Sequence, residues 1–166
     1  MTASATPIVL EDIKKELNLI KPKVFTTSFE RKNLCYETLQ TEDKIGTLIK
    51  YFNNDRNPAI VYCRSRVRTE QVTQQLKNAG LKCDFFHGGL STDIKKEKLG
   101  DWISEKNLIM VATSAFGMGI DKSNVGTVVH LLLPESMESF YQETGRAGRD
   151  GTTAKALLLL YPSDYD

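Results

Sequence analysis

Six short runs of apolar or β-prone residues, most of them separated by stretches with helical periodicity, constrain this chain more than any other feature. The runs are Asn33–Leu39, Ala59–Cys63, Cys83–His87, Leu108–Ala112, Thr127–Leu133 and Ala154–Leu160. Helix-like segments fall at Thr41–Phe52, Val67–Ala79, Thr92–Ser104 and Ser136–Ala147, the second stopping at Gly80. Runs such as IVYC, LIMVA and TVVHLLL do not alternate apolar with polar residues, so both faces of such a strand need cover. The pattern predicts an α/β fold: one parallel, doubly wound sheet with helices on both faces. A chain of 166 residues is long enough for one such core. Upstream, Ile8, Leu10, Ile13 and Leu17 trace one face of a helix over Ile8–Leu19, and Pro7 suits its first turn. Lys21-Pro22-Lys23 breaks that helix, which sets residues 1–22 apart from a main domain over 23–166.

Composition narrows the partners. With 22 Lys and Arg against 21 Asp and Glu, the formal charge is +1, so any nucleic-acid binding must come from local placement of groups. Cys35, Cys63 and Cys83 form no Cys-x-x-Cys pair, which points to free thiols in a reducing compartment, with no zinc and no other metal expected. The longest apolar run, Ala156–Tyr161, has strand length, and no membrane partner or secretory leader is expected. These features predict an intracellular protein, in the cytoplasm or nucleoid of a bacterium or the nucleus of a eukaryote.

In doubly wound sheets, chemistry gathers in the loops after the strands. Four such loops stand out. Cys63-Arg64-Ser65-Arg66-Val67-Arg68 joins arginines to a helix N-terminus, a good setting for phosphate, although solvated surface arginines are the commoner explanation of such a run. His87-Gly88-Gly89-Leu90-Ser91 allows close backbone approach and ends on a helix cap, although a plain turn with a packed histidine is the commoner explanation of such a loop taken alone. Thr113-Ser114-Ala115-Phe116-Gly117-Met118-Gly119-Ile120-Asp121-Lys122 offers hydroxyls for phosphates and a carboxylate for a ribose. It is not a P-loop, because Asp121, not glycine, precedes Lys122. Finally, Gln142-Glu143-Thr144-Gly145-Arg146-Ala147-Gly148-Arg149 sets two glycine-preceded arginines three residues apart, able to face one polyphosphate.

These segments, in this order, resemble the motifs of RecQ-family DNA helicases of superfamily two. QETGRAGRDG is similar to motif VI, ATSAFGMGIDKSNV to motif V, and IVYCRSR and FFHGGLS to motifs IV and IVa. SFERKNLCYE resembles the start of the family's second motor lobe, and TASATP the tail of the first. Ser123, Gly126 and Gly88 depart from the family's usual proline, arginine and alanine.

The resemblance implies a RecA-like second motor lobe, with residues 1–22 as the tail of the first lobe and linker. Arg149 would be the arginine finger, with Arg146 beside it; Gln142, Gly119 and Asp121 would border ATP, held with Mg2+ mainly by the first lobe. Arg64, Ser65, Arg66, His87, Gly88, Thr113 and Ser114 would contact DNA. Implied partners are single-stranded and partly duplex DNA and the upstream RecA-like lobe of the same polypeptide, with 3′ to 5′ translocation. The sequence holds no Gly-Lys-Ser/Thr loop, so this chain alone is expected to be inert. Competing expectations are a binding module without an ATPase half, or the second lobe of an RNA helicase; Gln142, where that class usually has histidine, weighs against the latter.

Overall fold

The computed structural model describes residues 7–25, 30–117 and 120–165, and divides the chain into two compact units, Met1–Lys32 and Asn33–Asp166. In the first, helix α1 spans Pro7–Glu16, stopping short of the predicted Leu19. Asn18, at φ 48°, takes the left-handed conformation that commonly closes a helix, two residues past its end and well before Pro22 acts.

The second unit alternates strand and helix as the sequence predicts. Its elements are β1 (Leu34–Gln40), α2 (Lys44–Asn54), β2 (Ala59–Tyr62), α3 (Arg66–Asn78), β3 (Cys83–Phe86), α4 (Thr92–Ile103), β4 (Ile109–Ala112), β5 (Thr127–His130), α5 (Met137–Thr144) and β6 (Ala154–Leu160). The six strands form one parallel sheet in the order β1-β6-β5-β2-β4-β3. Central strands β2, β4 and β5 are buried along their whole length, which is why their sequences do not alternate.

The period-two geometry of those strands splits the core into two layers. Ala59, Val61, Ile109, Val111 and Val129 face α2 and α3 through Leu48, Phe52, Val72 and Leu76. Ile60, Tyr62, Met110, Ala112 and Val128 face the other way, onto Trp102 of α4 and onto Phe116 and Ala147.

Helix starts are fixed by side-chain caps. Asp43, Ser65, Ser91 and Ser136 accept from backbone N–H groups of α2, α3, α4 and α5 respectively. Past the end of α3, Gly80 sits at φ 82°, as its position in the sequence predicts. Three boundaries of this unit differ by three residues: the helix expected from Thr41 begins at Lys44, after the Asp43 cap. The predicted strand over Thr127–Leu133 ends at His130, and the predicted helix over Ser136–Ala147 ends at Thr144. Beyond Thr144 the chain tightens, with Arg146 and Ala147 N–H bonding the carbonyls of Glu143 and Thr144 three residues back.

The carboxyl edge of the sheet is closed by a short 3-10 helix over Pro162–Tyr165. Buried Lys44 donates to the Leu131 carbonyl at 2.7 Å and to Asp164 at 3.1 Å, which ties that segment down.

Candidate functional site

Connections leave neighbouring strands β2 and β5 in opposite directions: β2 runs through α3 towards β3, and β5 through α5 towards β6. Such a switch point leaves a crevice at the carboxyl ends of the two strands. A pocket opens there, lined by Tyr62, Arg64, Ser114, His130, Pro134 and Glu143 among others. Residues from three of the four loops singled out in the sequence meet in it.

On one side stand the motif VI arginines. Both lie on the turn after α5, not on the helix itself. Arg146 Nη1 donates to the Gly117 carbonyl, and Arg149 Nη1 to the Ile120 carbonyl at 3.1 Å. Two loops 29 residues apart are thereby laced at two successive points. Among the described residues neither guanidinium pairs with a carboxylate, so both keep donors for another acceptor. Arg146 is half-buried, its Nε without a partner among the described residues, whereas Arg149 is exposed.

Gly117 is required by this contact. A Cβ there would stand 2.7 Å from Cζ of Arg146 and closer still to Nη2. Gln142 and Asp121 are exposed on the same two segments, and Gly119 lies outside the described residues.

The other side is more open. Arg64, Ser65 and Arg66 are exposed at the start of α3, with the Ser65 hydroxyl capping the helix at Arg68 N–H. Arg66 lies along the next loop: a Cβ on Gly89 would meet its Nη1 at 2.9 Å. Lys95 of α4 donates to the Gly88 carbonyl at 2.9 Å. Thr113 is half-buried and Ser114 exposed after β4.

His87 is placed differently from its neighbours. It is buried, bonded through Nε2 to Glu70 at 2.9 Å and stacked on Phe85, the packed arrangement weighed above as the ordinary explanation. Lys122 is turned away from the loop, to the Ile103 carbonyl at 3.2 Å and Glu105 at 3.1 Å.

Several residues that the sequence did not single out complete the site. His130, at the end of β5, bonds Glu143 of α5 at 2.7 Å. Tyr62, at the end of β2, stacks on His130 and donates to the Phe116 carbonyl at 3.0 Å. Burial holds its phenol far above the ordinary value, and the nearby Arg146 guanidinium only partly offsets this. Asn33 donates to the carbonyls of Gly148 and Thr152, both at 2.8 Å, and so pins the motif VI turn to the first strand. No short spacing links these pairs in the sequence; Asn33 stands 115 residues from Gly148.

This geometry, a parallel sheet whose switch-point crevice is edged by arginine-bearing loops, is that of a RecA-like α/β lobe. Two solved structures share the fold. The E. coli DEAD-box protein SrmB, bound to regulator of ribonuclease activity A, superposes with a TM-score of 0.71 over 80% of this chain and 79% of its own, at 23% identity. S. cerevisiae dbp5, bound to gle1 and ip6, superposes with a TM-score of 0.79 over 98% of this chain and 43% of its own, at 19% identity.

Sequence relatives carry the identification further. The family described as helicase conserved C-terminal domain matches residues 43–151. The ATP-dependent DNA helicase RecQ of Bacillus subtilis is 42% identical over 99% of this chain and 28% of its own length. The ATP-dependent DNA helicase Q1 of Pongo abelii is 42% identical over 95% of this chain and 25% of its own. The chain belongs to the helicase conserved C-terminal domain family, in its RecQ form. It spans about a quarter of the length of these two curated relatives, 28% and 25%.

Proposed function

We propose that this chain is the second motor lobe of an ATP-dependent 3′ to 5′ DNA helicase, with residues 1–22 the tail of the first lobe and linker. The observation that carries the reading is the double lacing of Arg146 and Arg149 to the Gly117 and Ile120 carbonyls. It fixes two cations, each with unused donors, on the turn behind Glu143, with Arg146 close to Tyr62; both Glu143 and Tyr62 line the switch-point crevice.

The residues fit a nucleoside triphosphate held from the opposite side. Guanidinium groups suit phosphate oxygens, and the exposed Asp121 carboxylate suits a ribose hydroxyl. Arg149 is the finger: when the lobes close it leaves the Ile120 carbonyl and reaches the γ-phosphate. Arg146, Gln142 and Gly119 border the nucleotide with it. ATP, with Mg2+ held mainly by the first lobe, would close the cleft on binding, and transfer of its γ-phosphoryl group to water, leaving ADP and phosphate, would let the cleft open.

Arg64, Ser65, Arg66, Gly88, Thr113 and Ser114 hold the backbone of the tracking DNA strand. His87 supports that loop from within the sheet. The setting is intracellular DNA repair and recombination.

The test is single-stranded-DNA-stimulated ATP hydrolysis by the protein carrying both motor lobes. Arg149→Ala is expected to lower turnover by roughly a thousandfold while ATP still binds, since a finger acts on the transition state. Without the first lobe, the 166 residues should show no turnover. Equal loss of binding and turnover in the variant would overturn the finger assignment, and stimulation by RNA but not DNA would transfer the lobe to an RNA motor.

A further inference from the structure

The motif residues explain what could touch ATP and DNA, but not what holds the arginine-bearing turn against the loop that receives it. Two buried side chains to which the resemblance gave no role, Tyr62 and His130, meet behind that contact. Tyr62 and His130 end adjacent strands, paired in register, and stack at 5.2 Å with their rings 21° apart. They are 5% and 2% exposed. The Phe140 ring of α5 meets His130 as well, at 5.1 Å and a 60° tilt, so the imidazole packs against both a strand and a helix residue.

Each member of the stack makes one outward polar bond, and the two bonds diverge. The His130 Nε2–H donates to Glu143 at 2.7 Å, and the Glu143 carbonyl accepts the Arg146 N–H that starts the motif VI turn. The Tyr62 hydroxyl donates to the carbonyl of Phe116, the residue before Gly117, which receives the Arg146 guanidinium. One stack therefore grips both partners of the Arg146–Gly117 bond from behind. His130 Nδ1 and Arg146 Nε, both buried, have no partner among the described residues. A core chosen only for stability would replace such half-satisfied polar groups with apolar ones.

We infer that the Tyr62–His130 stack is a positioning unit that keeps the motif V loop and the motif VI turn in register, so that the finger arrives at the right place when the lobes close. Neither residue touches ATP or DNA; they act through Glu143 and Phe116. The unit also lies in the pocket that Arg64 and Ser114 share, so it is built where the two halves of the site adjoin. The inference rests on the motor-lobe reading proposed above.

The experiment measures DNA-stimulated hydrolysis in the two-lobe protein for wild type, Arg149→Ala, His130→Phe, His130→Gln and Tyr62→Phe. His130→Phe keeps the ring stack and removes the donor, while His130→Gln restores an N–H near the old Nε2. His130→Phe is expected to lower kcat about tenfold, with KM for ATP and affinity for single-stranded DNA unchanged within about twofold. His130→Gln should recover at least about a third of wild-type kcat, a rescue that a purely packing role would not give. Tyr62→Phe, which removes one hydroxyl, should slow turnover by about threefold or more, and the double variant should fall short of the product of the singles.

Wild-type kcat in both His130→Phe and Tyr62→Phe would overturn the inference, as would a glutamine variant no better than phenylalanine. If His130→Phe does not fold, the Tyr62→Phe and His130→Gln results decide alone. An active wild type with a dead Arg149→Ala leaves the motor reading standing, so that the His130 and Tyr62 variants then judge the inference alone. A wild type without DNA-stimulated turnover would sink both.

Discussion

The arginines of this lobe live in two different settings. At the motif VI turn, Arg146 and Arg149 are tied to carbonyls of another loop, and a glycine is cut to the shape of one of them. At the start of α3, Arg64 and Arg66 are exposed and rest on surfaces, Arg66 along Gly89. The first corner is interlocked and carries position. The second is a set of charges on helix starts and carries attraction. A part that must deliver one guanidinium to one phosphate needs the first arrangement. A part that must release and regrip a sliding backbone is served by the second, because phosphate contacts are individually weak and exchangeable.

The sharpest way to break the interlocked corner is Gly117→Ala. The new methyl would occupy the space of the Arg146 guanidinium. Because the clash falls on the end of a long side chain, Arg146 gives way and the fold survives. Turnover of the two-lobe protein should fall by roughly a hundredfold, the scale of a misplaced reacting group, while the melting temperature stays within about 3 °C. Wild-type turnover in this variant would mean that the lacing is incidental.

The open corner should fail more gently. Arg66→Ala is expected to weaken single-stranded-DNA affinity about tenfold or less and to lower the slope of log affinity against log salt by about 1, evenly across sequences. DNA-saturated kcat should stay near wild type. A large kcat loss with the salt slope unchanged would place Arg66 in the interlocked set, and the contrast between the corners would collapse.

That contrast is also the boundary of what the sequence made legible. The sheet, its helices on both faces and the caps at Ser91 and Gly80 follow from local signals: apolar runs, periodicity and residues suited to helix ends. The expected strand and helix run past His130 and Thr144 because LLL prolongs the apolar run and Arg146 and Ala147 suit a helix. Lys44 instead takes the Leu131 carbonyl, and local three-residue bonds tighten the chain after Thr144. The exposure of Arg64 and Arg66 could be read because charges beside a helix start need no distant partner. Tyr62, His130 and Asn33 could not, because each gains its meaning from a residue 13 to 115 positions away. His87 illustrates the same limit. Its loop reads as a ligand contact, and only the fold brings Glu70 to its ring. Gly126 is a departure from the family's arginine that the fold accounts for by packing, since a Cβ there would meet Asn57 at 2.6 Å.

The smallest effect expected is on acidity, and it separates the corners again. Asp150 follows Arg149 directly, and its carboxylate accepts from the Thr152 hydroxyl at 2.7 Å and the Thr152 N–H at 3.0 Å. Those two bonds hold its pKa below the ordinary 3.8. Since the folded value is the lower one, the stabilisation is fully present above the ordinary carboxylate value and is lost as pH falls through the folded value. Between pH 7 and 5 the Asp150–Thr152 bonds should therefore be indifferent to acid. Below about pH 4 the Thr152 amide resonance should move, with a midpoint under the ordinary carboxylate value. At the start of α3 the cap is a hydroxyl: Ser65 Oγ accepts from Arg68 N–H, and a hydroxyl does not titrate. The Arg68 amide should stay still while the Thr152 amide shifts. A Thr152 midpoint at or above the ordinary value would show that the two bonds to Asp150 are not held in solution. Loosening of both amides together would show that acid acts on the whole sheet and not on the turn.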